Sequence, residues 1–195
     1  MFEYLKGKIT DLTPASLVVE CNGVGYFLTI SLNSFSGFSG KTEILVYSHF
    51  HVREDAQLLF GFASKEEREL FRSLILVNGI GVNTAIMMLS SVPPDELREG
   101  ILREDVALLK SIKGIGAKTA QRIIIDLKDK ISKTAAPVTG QIFAVQDNTI
   151  KNEALSALVM LGFNKKAAEK ELDKQIREHR EIGVEELIKV ALKGL

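Results

Sequence analysis

A nine-residue stretch occurs twice in this chain. Val77-Asn78-Gly79-Ile80-Gly81-Val82-Asn83-Thr84-Ala85 aligns with Ile112-Lys113-Gly114-Ile115-Gly116-Ala117-Lys118-Thr119-Ala120, 35 residues further on. Each copy follows one helical pattern and opens another, so the order helix, Gly-Ile-Gly turn, helix is built twice. The two glycines allow unusual φ and let another backbone approach, because no Cβ stands in the way. The isoleucine between them can anchor the turn in the core. The helix that follows begins with free N–H groups and the positive end of its dipole, where a phosphate fits. A single Gly-x-Gly is usually just a turn. Two in matched context favour a phosphate-binding reading over a purely structural double turn. Neither copy fits G-x-x-x-x-G-K-[ST] or follows a strand, which argues against a nucleotide site.

Charge along the chain points the same way. The totals, 25 basic and 25 acidic side chains, argue by themselves for no polyanionic partner. Val106 to Ile125, however, holds Lys110, Lys113, Lys118 and Arg122 and no acid. Lys118 and Arg122 lie one turn apart on the helix after the second turn. Backbone amides and lysines grip phosphates without reading base edges, so the implied ligand is nucleic acid recognised by shape. The plainer alternative for these four cations is a solvated helix face.

Three segments surround this pattern. Residues 1–63 read as five short strands: Phe2 to Ile9, Leu17 to Glu20, Tyr26 to Ile30, Glu43 to Val52 and Ala56 to Phe62. Asn22-Gly23 tolerates positive φ and predicts a hairpin. Five strands of this size predict a small closed barrel, an OB-fold ahead of an SH3-like barrel. At Ser64 the period changes. Ser64-Lys65-Glu66-Glu67 fits a capping box, with Ser64 as N-cap and Glu67 reaching back to its amide. Leu70, Phe71, Leu74, Ile75 and Val77 then recur at helical spacing. Residues 64–133 become short helices broken at Asn78-Gly79, Val92-Pro93-Pro94 and Lys113-Gly114. Residues 134–146 read as a flexible linker. Residues 147–195 read as three helices: the first marked by Leu155, Leu158, Val159 and Leu161 and ended by Gly162, the second capped by Asn164 and running to Ile176, the third from Val184 to Leu192. The whole is an α+β multidomain chain.

Composition excludes other classes. At 46% hydrophobic and 26% charged residues the chain is not wholly disordered. No apolar run approaches the roughly 20 residues of a membrane span, and Met1 to Lys6 lacks a secretory pattern. Cys21 is the only cysteine, which excludes an internal disulfide and a cysteine zinc site and points to a reducing cytoplasm. His49, His51 and His179 form no visible triad or zinc set. No cofactor and no metal are expected.

The Gly-Ile-Gly units resemble helix-hairpin-helix motifs. With an OB-like barrel before them and a linker and three-helix domain after them, essentially the whole chain resembles the bacterial Holliday-junction-binding RuvA family. Val52-Arg53-Glu54-Asp55-Ala56-Gln57-Leu58-Leu59-Phe60-Gly61-Phe62 is similar to that family's signature hairpin. Gly114-Ile115-Gly116-Ala117-Lys118-Thr119-Ala120-Gln121-Arg122 is similar to its second DNA-binding hairpin. The resemblance implies a homotetramer, one or two per junction, that holds four-way junction DNA open and has no catalysis of its own. It implies a C-terminal domain, similar to ubiquitin-associated modules, that recruits the ring-shaped ATPase RuvB, and a resolvase, RuvC, that later cuts the junction.

Carried over, the resemblance assigns DNA binding to Gly79, Ile80, Gly81, Asn83 and Thr84 and to Gly114, Ile115, Gly116, Lys118, Thr119 and Arg122. It makes Glu54 and Asp55 an acidic pin at the tetramer centre, although the residues alone read as an ordinary polar hairpin tip. Leu158, Leu161 and Phe163 match the apolar patch toward RuvB; Leu158 and Leu161 read equally well as internal core, and Phe163 is the better candidate for exposure. Asn83 departs from the family pattern, which usually has Lys there, so the second hairpin is expected to carry the larger electrostatic share.

Two other classes remain at this level. A helix-hairpin-helix DNA-processing enzyme would need a catalytic Asp; Asp126 and Asp129 follow the second hairpin but without the turn such enzymes carry. A single-strand-binding OB adaptor would need stacking aromatics in one groove, for which Phe27, Phe35, Phe38 and Phe50 are available.

Overall fold

The structure, a computed structural model, describes residues 2–134, 144–178 and 182–195. Alternating apolar residues build the first part. Strands β1 (Tyr4–Leu12), β2 (Ser16–Cys21), β3 (Val24–Ile30), β4 (Glu43–Val52) and β5 (Gln57–Phe62) close a barrel in the order β1-β2-β3-β5-β4. Leu17, Val19, Leu28, Ile30, Ile44 and Val46 point inward at every second position and fill it. Asn22 (φ 51°) and Gly23 (φ 84°) both take positive φ, as a two-residue hairpin between right-twisted strands requires. β3 and β5 pair in parallel and the other neighbours antiparallel. That order, with helix α1 (Leu32–Phe38) between β3 and β4, is OB-type and not SH3-like.

Helix α1 was not legible in the sequence. Its seven residues are capped by Ser31, whose hydroxyl accepts from the Ser34 amide. It drops Phe38, 2% exposed, into the barrel.

Five helices follow: α2 (Lys65–Leu74), α3 (Val82–Ser91), α4 (Pro94–Leu102), α5 (Val106–Ser111) and α6 (Ala117–Thr134). Pro94 opens α4, where its missing N–H costs nothing. The break between α4 and α5 has no Gly or Pro; Glu104 takes φ 59° there, and Asp105 caps α5 by accepting from the Leu108 amide. Residues 120, 123, 124, 127 and 131 of α6 form one buried stripe.

The barrel and these helices share a core. Phe60 and Phe62 on β5 lie with Phe71 of α2, ring centroids 5.2 and 4.9 Å away, inside the helical cluster. Polar ties reinforce the joint. Ser64 caps α2 as expected, accepting from the Glu67 amide. Glu67 does not complete the capping box. Its buried carboxylate accepts instead from the Ser31 hydroxyl (2.5 Å) and the Ser34 hydroxyl (2.7 Å) of α1. Packing α1 against α2 removes Glu67 from water, and two hydroxyl donors satisfy both oxygens there. Arg68, 1% exposed, donates to the Glu3 carbonyl (2.7 Å), pairs with the Glu3 carboxylate (2.5 Å) and lies over the Tyr47 ring.

The chain divides into two compact units, 1–136 and 137–195. In the second, α7 (Ala144–Met160), α8 (Lys165–Glu178) and α9 (Val184–Gly194) enclose Ala154, Leu158, Ala168, Leu172, Leu187 and Ala191. Of the residues expected to form a linker, Thr134 closes α6 and 144–146 open α7; the others, and His179, lie outside the described residues.

Candidate nucleic-acid interface

The two Gly-Ile-Gly turns adopt the same construction. Gly79 has φ 96° and Gly114 φ 89°, left-handed values that suit glycine. Ile80 and Ile115, each 5% exposed, plug the core beside Val77 and Ile112. The Ile80 amide donates to the Val77 carbonyl (3.0 Å) and the Ile115 amide to the Ile112 carbonyl (3.1 Å). The first helical bonds of α3 and α6 are Ala85 to Gly81 (3.0 Å) and Ala120 to Gly116 (2.9 Å). The amides at 82–84 and 117–119 therefore have no carbonyl within their helices. A Cβ built on Gly81 or Gly116 would meet nothing within 4 Å. Within each turn the first glycine sets the backbone and the second keeps the surface bare.

Side chains around the turns differ between copies. Asn83, Lys118 and Arg122 are exposed, as are Lys110 and Lys113. Thr84 and Thr119 are half-buried. The second turn thus sits among four cations, whereas the first has Asn83 alone at the position of Lys118. Asp126 and Asp129 are exposed on α6.

Glu54 and Asp55 stand exposed at the tip between β4 and β5. The Arg53 amide closes the tip by donating to the Ala56 carbonyl (2.8 Å), and the Val52–Gln57 pair holds its base. Beneath it, His49 lies half-buried, edge-on to Phe71 at 5.3 Å. Burial, then Arg72, His51 and Arg68, push its pKa below the usual histidine value.

The four phenylalanines offered for stacking are not all at the surface: Phe38 is buried, Phe35 and Phe50 are half-buried and Phe27 is 63% exposed. Among the described residues, no three His, Cys, Asp or Glu side chains gather as a metal ion would need.

In the second unit the three expected residues differ in exposure. Leu158 is wholly buried in the three-helix core, because it sits on the face of α7 that α8 and α9 cover. Phe163 is half-buried against the same core. Gly162 (φ 97°) ends α7, with its amide bonded to the Val159 carbonyl and the Phe163 amide to the Leu158 carbonyl. That pattern folds the residue after the glycine back onto the helix, so Phe163 is not the exposed member. Leu161 is 62% exposed, and it is joined by Met160 at 89% and Val159 at 42%. Val159 and Met160 were missed as surface residues, although their spacing from the core residues Ala154 and Leu158 turns them outward.

A closed OB-type barrel feeding paired helix-hairpin-helix turns defines a class of protein that holds the nucleic-acid backbone. The central residues, 71–129, match the family model described as a SAM-like helix-hairpin-helix tandem. Residues 1–61 match the RuvA N-terminal domain and 149–195 the RuvA C-terminal domain. The chain is 50% identical over 195 residues to a protein of Christiangramia forsetii, spanning both chains completely. It is 46% identical over 201 residues to one of Bacteroides fragilis and 44% over 195 residues to one of Flavobacterium psychrophilum, again across the full length of both. Each of those relatives is called Holliday junction branch migration complex subunit RuvA. The chain belongs to the RuvA family.

Proposed function

We propose that this protein binds four-way DNA junctions by shape and serves as the non-catalytic subunit that couples them to a branch-migration ATPase. The observation that carries the reading is the matched pair of turns: a positive-φ glycine, a buried isoleucine, a bare second glycine and a helix start without partners, all present twice in one unit. Such turns hold phosphates in any sequence. Lys118, Thr119 and Arg122 add charge and hydroxyl contacts at the second turn, while Asn83 and Thr84 leave the first to its amides.

The assembly is a homotetramer. Its support is the apolar side chains left exposed on the barrel: Tyr4 (55%), Phe27 (63%) and Val52 (58%), and to a lesser degree Phe2 (42%), Leu45 (39%) and Leu58 (37%). Four copies bring eight carboxylates of Glu54 and Asp55 together, and their repulsion of phosphates keeps the crossover open. The Val159-Met160-Leu161 surface docks the ATPase RuvB, and a tetramer on one face of the junction leaves the other to the resolvase RuvC.

Native mass measurement with and without a four-way junction tests the assembly. Binding to junction, duplex and single strands of equal length tests the ligand. Tight junction binding without cleavage in magnesium is the expected result. Equal affinity for single strands, or a cut product, would overturn the proposal.

A further inference from the structure

The residue before the acidic tip is held by a histidine. Arg53 Nε–H donates to Nε2 of His51 across 3.0 Å. A guanidinium has only donors, so His51 must offer a lone pair at Nε2. That acceptor role places the ring proton on Nδ1. His51 also stacks on His49, ring centroids 6.2 Å apart, and His49 abuts Phe71. A column of rings thus runs from the shared core along β4 to Arg53.

The charges around this column are accounted for. From α2, Arg68 and Arg72 approach His49, and both pair with Glu3 and Glu69. β5, opposite, has no charged residue from Gln57 to Phe62; Leu58 faces His51 and Gln57 faces Val52. The carboxylates next along the chain from Arg53 are Glu54 and Asp55.

We propose that His51 is a positioning residue for the tip: its imidazole accepts from Arg53 and ties it back along β4, leaving Glu54 and Asp55 to present their full charge, and removing that acceptor frees Arg53 to neutralise them. The inference rests on the acidic-pin reading above.

Two measurements on the full-length protein test it. Long-range nitrogen–proton NMR of the histidine side chains should show His51 as the Nδ1–H tautomer at about pH 8, and Arg53→Gln should release that preference. An Nε2–H tautomer overturns the proposal whatever the tip does. The second arm is a junction carrying a fluorescent base analogue at the crossover. His51→Val should lower the signal by about threefold against wild type at about pH 8, the size expected for one exposed ion pair per subunit. Arg53→Gln should stay as high as wild type. His51→Val matching wild type overturns the proposal. The double variant Glu54→Gln, Asp55→Asn separates the premises: if it opens junctions like wild type, the pin reading fails and the electrostatic half of this inference falls with it, while the tautomer result stands.

Discussion

Gly114 and Gly116 sit two residues apart, yet alanine should do opposite things at them. Gly114 has φ 89°, so a Cβ there is strained however open its surroundings. Left-handed backbone costs a non-glycine residue about 1–2 kcal/mol. For a unit of this size that is a fall in Tm of roughly 3–8 °C. Gly116 carries no such φ, and its Cβ would meet nothing within 4 Å. Gly116→Ala should leave Tm unchanged or raise it slightly, because the unfolded chain loses freedom. The methyl group would stand where the phosphate must approach the bare amides. Losing one charge-assisted amide–phosphate bond is worth about 1.5–3 kcal/mol, or roughly tenfold or more in affinity per hairpin. Calorimetry and junction titration on the same samples read both quantities. A folded Gly116→Ala protein that binds junctions as wild type does would refute the phosphate contact at the second turn. A Gly114→Ala protein as stable as wild type would refute the division of roles between the glycines.

Other outcomes follow from named contacts. Lys118→Ala should lower the salt slope of junction binding by about 1, and Asn83→Lys should raise it by about 1; a larger loss from the first hairpin would contradict the asymmetry. Glu67→Gln leaves one of two buried serine hydroxyls facing an amide nitrogen, a loss of about 1–3 kcal/mol by denaturant unfolding. Because the folded-state pKa of His49 lies below its usual value of 6.5, the neutral ring favours the fold above that value. This contribution is lost as pH falls through the folded pKa, and His49→Leu should flatten that part of the Tm–pH curve. Met160→Asp with Leu161→Asp should uncouple the ATPase without changing junction affinity, whereas Leu158→Ala should destabilise the C-terminal unit by about 2–5 kcal/mol.

The repeat made the hairpins legible because its residues act locally: glycine φ, an isoleucine plug and a helix start are all set within a few positions. The Asn22-Gly23 hairpin was legible for the same reason. Contacts across the fold were not. Glu67 has the spacing of a capping box, and only the arrival of α1 redirects its carboxylate to Ser31 and Ser34. Helix α1 is seven residues long, with Gly37 and serines inside it, too short and too poor in helix formers for periodicity to register. Phe163 looked exposed because it follows a helix-ending glycine, but that glycine's own hydrogen bonds bring it back to the core. The tie joins His51, near the end of β4, to Arg53 just beyond it, a two-residue spacing that any polar strand end shares.

The shared core decides how the tip and the hairpins act together. A barrel of about 60 residues and a helical segment of similar size would each bury too little surface to be more than marginally stable alone. Phe60 and Phe62 resolve this by leaving the barrel wall and entering the helical cluster beside Phe71. The same strand, β5, begins just after the acidic tip and ends two residues before Ser64, the cap of α2, and α2 leads on to the first Gly-Ile-Gly turn. Glu67 and Arg68 add two polar ties at the junction, to α1 and to Glu3. Displacing the tip from the hairpins therefore means breaking buried aromatic packing and stranding a buried carboxylate and guanidinium, each a loss of several kcal/mol. The tip and the two hairpins form one stiff body for that reason. The apolar surface at Met160 and Leu161 belongs to a separate unit with its own core, so a partner can engage it without drawing on the packing that joins tip and hairpins.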